Sequence, residues 1–460
     1  MQRVRLAELL QGVGFGFISN RRILERTEVD SISTDTRSLK RGDLFLAIPG
    51  AVHDGHAFIG DAFGRGASGV IFETARYEQV RPHLKPASDR LLIGVDDTRR
   101  VFGSMASNYL RKFRVQKIAL TGSAGKTTTK ELIHAVLSRR YRVVANVQSY
   151  NNDIGVPKTL LGVDDSTRIL VQEIGTNHPG EIAYLAGMVE PDCGLITNIG
   201  PAHIEFFGSE RRIAREKKAL FRTLHARGTA FVNNEDPFKN YLMRGIRARC
   251  KRFGLESGDL HPDRIIGIGL EQAEFVIGGV RVRARVLGMH GIRNATAAAL
   301  IGLHFDLSFE EIAAGLEEFQ GLSGRGTVFI RGGATIIDES YNANPLSVRA
   351  SLEYLGALQA AGRKIFVFAD MLELGARTEH FHRWIADQVP GKGIDLLFTY
   401  GEGARITGRQ CGDAVYGGVV HFEEIEDLRE RLEEEIREGD LVLVKGSRAM
   451  RLERAIRAPV

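Results

Sequence analysis

The run Ile118-Ala119-Leu120-Thr121-Gly122-Ser123-Ala124-Gly125-Lys126-Thr127-Thr128-Thr129 holds the residue types that a polyphosphate needs. An apolar strand enters a loop of small residues, Lys-Thr follows, and Glu131–Leu137 then carries a helical pattern. Backbone N–H groups of such a loop cradle phosphates at a helix N-terminus, where the helix dipole also favours negative charge. Lys126 is placed to neutralise β/γ-phosphate oxygens, and the Thr127 hydroxyl suits Mg²⁺. Leu120 stands where the eight-residue form of this motif has its first Gly, so this is the shorter T-G-x-x-G-K-T-T form. The pattern predicts ATP binding, against the plain alternative of a Gly/Ser turn before a helix.

A Mg²⁺-ATP site needs further oxygen ligands, commonly a carboxylate at the end of a nearby strand. Leu170-Val171-Gln172-Glu173-Ile174-Gly175 offers Glu173, and a later strand runs out into Thr197-Asn198-Ile199-Gly200-Pro201-Ala202-His203. Ligands of open α/β sheets bind beyond the strand ends, so Glu173 and His203 are expected to approach the loop of Lys126. Taken alone, His203 reads as a hydrogen-bonded loop histidine.

These residues need strands and helices to hold them, and the chain supplies both in alternation. Short buried runs at Asp43–Ile48, Gly69–Phe72 and Leu91–Val95 read as strands of an N-terminal domain, with a helical stretch over Arg99–Arg111. Lys117–Leu120, Arg142–Ala145, Arg168–Glu173, Gly194–Thr197 and Thr229–Asn233 follow as strands separated by helical segments. That alternation predicts a parallel sheet with helices on both faces. Ala295–Leu303 is helical, and Leu322–Gly326 reads as a linker. The alternation restarts with Thr335–Ile337, Lys364–Phe368, Leu396–Tyr400 and Leu441–Val444, and the charged run Glu423–Glu438 reads as a solvated helix face. At about 150 residues per domain, 460 residues fit three α/β domains, drawn at 1–112, 113–326 and 327–460.

Apolar residues at 43% and charged residues at 26% exclude a disordered tail and a membrane bundle. No apolar run nears the ~18 residues of a membrane span, and the opening segment lacks a signal-peptide core, so a cytoplasmic protein is expected. Net charge is +5, which suits nucleic acid, a membrane surface or an anionic small substrate. The basic residues are dispersed and aromatics are only 8%, which favours phosphorylated small molecules over nucleic acid. Cys193, Cys250 and Cys411 share no metal or disulfide spacing and read as small buried hydrophobes.

The T-G-x-x-G-K-T form, Asn151-Asn152-Asp153-Ile154-Gly155-Val156-Pro157 and Asn198–His203 together resemble the Mur ligase family. These are ATP-dependent peptide-bond-forming enzymes of bacterial cell-wall precursor synthesis. The resemblance runs from Ser31 to Arg448 and implies a three-domain architecture with a central P-loop ATPase domain and a Rossmann-like C-terminal domain. Ser31-Ile32-Ser33-Thr34-Asp35-Thr36-Arg37 with Gly42–Phe45 resembles the UDP-sugar-binding domain of third- and fourth-step members. Asp338-Glu339-Ser340-Tyr341-Asn342-Ala343-Asn344-Pro345 resembles the type that adds D-alanyl-D-alanine, where the third-step type has Tyr-Ala-His. Asp370–Gly375 and Val444–Arg448 agree with that type, and the D-N-P-R motif of diaminopimelate users is absent. The departures are Ala369 and Gly291, where relatives often carry Gly and Asn.

By resemblance, the substrates are UDP-N-acetylmuramoyl-tripeptide and D-alanyl-D-alanine, joined through an acyl phosphate by a monomer that needs ATP and Mg²⁺. Gly122, Ser123, Ala124, Gly125, Lys126, Thr127 and Thr128 then bind nucleotide, with Asn294 near the adenine, Arg325 at the interdomain linker and Asp338 at the ribose or base. Thr127 and Glu173 hold a first Mg²⁺, and His203 helps to hold a second. Lys217 matches a lysine that is carbamylated in relatives; its plain alternative is an exposed helix lysine. Asn151 touches a phosphate or substrate, Ser33, Thr34, Asp35, Thr36 and Arg37 meet the sugar nucleotide, and Tyr341, Asn342 and Asn344 meet the incoming dipeptide. The alternatives are another amide ligase of the same fold, such as the third-step type or a folate polyglutamate ligase, and an ATP-gated binding protein without ligase chemistry.

Overall fold

Buried parallel strands read as unbroken apolar runs because both of their faces are covered, and the expected strands sit where such runs occur. The computed structural model describes residues 1–50, 52–83 and 91–456. The chain forms two compact units: residues 1–118 with 142–174 and 184–191, and residues 119–141 with 175–183 and 192–460.

In the first unit, among the described residues, a sheet runs in the order Phe17–Ile18, Leu91–Val95, Gly69–Glu73, Leu44–Leu46, Ile32–Ser33. Its strands are parallel except the short outer Phe17–Ile18. Phe45, Ile59, Val70, Phe72 and Leu92 pack one core against it. Helix Thr98–Leu110 starts where Asp97 accepts the Arg100 amide at 3.0 Å, a side-chain cap for an otherwise orphaned donor. Val143–Ala145 pairs in parallel with Ile169–Glu173 in the same unit.

The strand Gln116–Thr121 carries the chain from the first unit into the second, where Cys193–Ile196, Thr229–Asn233 and Arg249–Phe253 pair in parallel in that order. Helices Lys126–Leu137, Glu210–Thr223 and Gly288–His304 belong to the second unit, the last extending the expected Ala295–Leu303 at both ends. The C-terminal part repeats the theme in the order Thr327–Arg331, Ala334–Glu339, Leu441–Lys445, Lys364–Ala369, Leu396–Tyr400, Val419–Phe422. Ile336, Val367, Phe398, Val442 and Val444 share its core with Leu428 and Leu432. These two leucines lie on helix Ile425–Glu435, so the charged run does present a solvated face opposite an apolar one.

Within the second unit, antiparallel pairing also departs from the all-parallel expectation. Arg264–Ile268, Ala273–Ile277 and Val280–Ala284 form an antiparallel sheet of their own. Thr327–Arg331 folds back as a hairpin on Ala334–Glu339. The expected linker is an ordered turn, with Arg325 N donating to Leu322 O at 3.0 Å and Gly326 N to Asp338 O at 2.9 Å. Cys193 and Cys411 are buried, but Cys250 is exposed, because its strand Arg249–Phe253 is the outer one of its sheet. Among the described residues no helix is long and apolar enough to cross a membrane.

Candidate active site

Loop Gly122–Gly125 in the second unit is shaped by two glycines and one asparagine. A Cβ on Gly122 would stand 1.8 Å from Thr197 Oγ1, so only glycine lets the loop pass this strand end. Gly125 holds the left-handed conformation (φ 78°) that turns the loop into helix Lys126–Leu137. Asn198 O accepts the Ser123 amide at 3.0 Å, and Asn198 Oδ1 accepts the Ala124 amide at 2.9 Å. The Asn198 amide and the Thr197 hydroxyl both donate to Ala124 O, at 3.0 and 2.6 Å. Ser123 Oγ bonds Gly200 at both its O and its N, each at 2.9 Å.

Ser123 and Ala124 therefore spend their amides on the shape of the loop. The first helical bond is Thr129 N to Gly125 O, so the amides of Lys126, Thr127 and Thr128 precede the helical ladder, at the helix N-terminus that suits an anion. Lys126 Nζ donates to Gly122 O at 2.9 Å, poised over the loop. The Asn294 amide lies 3.0 Å from where a Gly125 Cβ would be, which sets it against the phosphate loop. Asp236, which sequence reasoning passed over, braces the pinning segment by accepting the Ile199 amide at 2.7 Å. Burial pushes its carboxyl above the ordinary range.

In the first unit, Glu173 closes its strand almost wholly buried. Its amide donates to Asn146 Oδ1 at 2.8 Å, and Asn151 Nδ2 donates to Glu173 Oε1 at 2.8 Å. The other carboxylate oxygen, Oε2, is buried with no hydrogen-bond partner. A hard anionic oxygen withheld from water and left unpaired suits a Mg²⁺ ligand, and a cation offsets its burial cost. Among the described residues no three His, Cys, Asp or Glu side chains gather as a complete metal cage.

Thr127 and Lys217 are both buried. For Lys217 this overturns the exposed-helix alternative: on Glu210–Thr223 it shares the inward face with Ile213, Ala214, Leu220 and Phe221. Its neighbour Lys218 donates to the carbonyls of Tyr241 and Arg244, both at 2.5 Å. His203 sits in the left-handed region (φ 56°), and its Nδ1 lies 2.5 Å from Glu373 Oε2. The hydrogen bond from His203 holds the Glu373 carboxyl below its ordinary range.

The Tyr341–Pro345 segment reaches the phosphate loop within the second unit. Asn344 caps helix Pro345–Ala357, its Oδ1 accepting the Ser347 amide at 3.0 Å, while its Nδ2 donates to Ser123 O at 3.2 Å. The Arg325 guanidinium lies 3.8 Å from the Tyr341 ring centroid, and Arg448 lies 5.8 Å from it. Asp338 is fully buried and accepts the Ser340 amide and hydroxyl at 3.0 and 2.5 Å, so its carboxylate shapes this turn. Asn342 is held by a carbonyl contact, Lys445 Nζ donating to its O at 3.2 Å, and its own Oδ1 accepts the Ala343 amide.

A cavity of about 630 Å³ in the first unit is lined by Ser31, Ser33, Thr34, Asp35, Lys40, Arg41 and Lys158, among others. Ser33 Oγ donates to Asp35 O at 2.9 Å, and Thr36 is buried beneath the turn. Arg37 grips both Asp35 oxygens and drives that carboxyl down to about 2. Arg37 is thus spent on its neighbour, and the cations facing the cavity are Lys40, Arg41 and Lys158.

Comparison with known proteins adds the decisive observation. The description "Mur ligase family, catalytic domain" matches residues 28–110, "Mur ligase middle domain" residues 120–302, and "Mur ligase, glutamate ligase domain" residues 324–448. The UDP-N-acetylmuramoyl-tripeptide–D-alanyl-D-alanine ligase of Bacillus subtilis is 34% identical over 438 residues, covering 94% of this chain and 93% of that protein. The chain belongs to the Mur ligase family. Its fold is the family's three-domain α/β architecture: MurF of Acinetobacter baumannii superposes with a TM-score of 0.89 at 28% identity, over 99% of this chain and 98% of that one. MurF ligase of Thermotoga maritima, solved in complex with ADP, gives a TM-score of 0.81 at 26% identity over 93% and 96% of the two chains.

Seen as a Mur ligase, the chain gives several residues parts that sequence reasoning did not assign to them. Glu373, Asp236 and Lys158 all lie far along the chain from the groups they serve or join, whereas Arg41 follows Ser33–Arg37 closely. Lys158 carried the one usable signal, since its helix Gly155–Leu160 grows directly out of the Asn151–Pro157 segment.

Proposed function

We propose that the chain joins D-alanyl-D-alanine to UDP-N-acetylmuramoyl-tripeptide, consuming ATP and releasing ADP and phosphate, as a cytoplasmic monomer in cell-wall precursor synthesis. The observation that carries this reading is the bond from Asn344 Nδ2 to Ser123 O. It sets the Tyr341–Asn344 segment, which resembles the dipeptide-adding type, directly on the phosphate loop. The name of the Bacillus subtilis relative agrees with that substrate pair.

The terminal carboxylate of the tripeptide attacks the γ-phosphorus of ATP, giving an acyl phosphate and ADP. The amine of the dipeptide then attacks the acyl carbon, and phosphate leaves through a tetrahedral intermediate. Two anions must meet in the first step, so Lys126 and the helix N-terminal amides of Lys126, Thr127 and Thr128 supply preorganised positive charge. Mg²⁺, when bound, neutralises phosphate oxygens and steadies the developing charge. Thr127 and Glu173 are assigned to a first ion, and His203 with a carbamylated Lys217 to a second. Asn151 orients Glu173 by holding its other oxygen. Asn294 and Arg325 serve the nucleotide, with Asp338 shaping the turn beside them. Ser33, Thr34 and Asp35 line the UDP-sugar cavity, with Thr36 and Arg37 holding the turn behind them, where Lys40, Arg41 and Lys158 supply the charge for its diphosphate, and Tyr341, Asn342 and Asn344 receive the dipeptide. The three domains are taken as 1–112, 113–326 and 327–460.

The test is ADP release with the nucleotide tripeptide and D-alanyl-D-alanine supplied singly and together. Release should need both, and Lys126→Ala should cut it on the order of 100-fold, about 3 kcal/mol of transition-state stabilisation. Equal release without the dipeptide would turn the reading into an ATPase or an ATP-gated binding protein.

A further inference from the structure

Glu373 and His203 meet in an unusual way. Each is a non-glycine residue in the left-handed region, at φ 60° and 56°. Such conformations persist where the surroundings over-determine them, and they gather at functional sites. The loop bearing Glu373 is held from several sides. Asp370 O accepts the Ser447 amide at 3.0 Å, Asp370 Oδ1 the Ala404 amide at 2.7 Å, His382 Nε2 the Met371 amide at 3.2 Å, and Ser447 Oγ the Leu372 amide at 2.9 Å. From the other side, the Glu205 amide donates to Glu373 O at 3.1 Å, two residues beyond His203. All of these groups lie within the second compact unit. An ionised carboxylate only accepts hydrogen bonds, so the proton in the 2.5 Å contact is on His203 Nδ1.

We propose that Glu373 is a positioning residue for a divalent cation: by accepting Nδ1–H it fixes the tautomer and ring orientation of His203 and leaves Nε2 as the lone-pair donor. A ligating histidine characteristically gives its other N–H to a carboxylate or carbonyl, which orients the ring and raises its basicity. Here the carboxylate comes from a loop of the C-terminal domain, so the ligand on the central domain is correctly set only when that loop is docked. The proposal rests on the reading of His203 as a metal ligand.

The test uses Mn²⁺ as the probe, with the full chain saturated with ADP, and reads bound Mn²⁺ by electron paramagnetic resonance. Glu373→Asn suits the left-handed backbone, which Asn tolerates, yet withdraws the carboxylate. It should weaken Mn²⁺ binding by about 10- to 100-fold. Glu373→Gln keeps an oxygen that accepts Nδ1–H and should stay close to wild type. The ¹⁵N resonances of the His203 ring, recorded without metal at alkaline pH, should report Nδ1–H in wild type and a shift toward Nε2–H in Glu373→Asn. Wild-type Mn²⁺ affinity in Glu373→Asn, or a ring signature that it leaves unchanged, overturns the proposal. His203→Ala separates the two layers. If it weakens Mn²⁺ binding and Glu373→Asn does not, only the role of Glu373 falls; if it leaves Mn²⁺ binding intact, the ligand reading beneath it falls as well.

Discussion

At the scale of single residues, Lys217 is the sharpest case. A buried lysine can be held by carbonyls, as Lys218 is, can neutralise an anion, or can be converted. A carbamate turns the ammonium into an anionic oxygen donor that suits Mg²⁺. Lys217→Ala is expected to lose turnover and to regain part of it when a short carboxylic acid is added, because acetate can occupy the vacated space. Lys217→Arg keeps the charge but cannot form a lysine carbamate, so it should be inactive and beyond rescue. Normal turnover by the Arg variant in the ADP-release assay would end the carbamate idea. The burial itself was legible: Ile213, Ala214, Leu220 and Phe221 lie at helical spacings of three and four from Lys217 and are all buried, so the apolar stripe runs through it. Glu373 was not legible, because its partner lies 170 residues away and no local pattern joins them.

At the scale of elements, Asn344 does two jobs that substitution can separate. Its Oδ1 caps helix Pro345–Ala357 and its Nδ2 holds Ser123 O. Asn344→Asp keeps the cap and removes the donor, so thermal stability should hold while nucleotide affinity falls; Asn344→Ala should lose both, with ~1 kcal/mol of stability gone. A second prediction concerns the strand pair Ala334–Glu339 and Leu441–Lys445, whose register sets Glu339 opposite Lys445. The two side chains form a buried ion pair at 3.0 Å, with Ser351 also on Glu339. Burial alone would raise the Glu339 carboxyl, yet the charges of Lys445 and His290 and the hydrogen bonds of Ser351 and Lys445 bring it below its ordinary value. A carboxyl lowered on folding adds stability above its unfolded pKa, and that stability is lost as pH falls through the lower folded value. Lys445→Met leaves an unpaired buried carboxylate and should cost about 3–5 kcal/mol near neutral pH in a denaturant titration, with the cost shrinking in acid as Glu339 protonates. These strands were legible as apolar runs. The antiparallel sheet over Arg264–Ala284 was harder, because its strands are half exposed and its residues alternate. Val280, Val282 and Ala284 against Arg281 and Arg283, after the Gly278-Gly279 turn, were the signal available.

At the scale of the whole molecule, the chemistry is divided between the two compact units. The phosphate loop, Asn198, His203 and Asn344 belong to the second, whereas the Ser33–Lys158 cavity and Glu173 belong to the first. The phosphate loop was readable because one contiguous stretch builds it. The cavity was readable only in part, since Lys158 reaches it from more than a hundred residues beyond Ser33–Asp35. Such a division predicts that the two nucleotides of the reaction protect different amides. A ligand that binds only the native state suppresses local opening most strongly where it binds, and at 100 times its dissociation constant it adds about 2.7 kcal/mol. In hydrogen exchange on the full chain, uridine diphosphate should slow the amides of Ser31–Asp43 and leave Gly125–Thr128 near their free rates. Mg²⁺-ADP should do the reverse. Protection of the phosphate loop by uridine diphosphate would mean that one site takes both nucleotides, and the assignment of the cavity to the sugar nucleotide would then be lost. Protection of both segments by either ligand alone would carry a different meaning, because it requires binding at one site to stabilise the other. The second ligand should then bind more tightly in the presence of the first, by the same factor in either order.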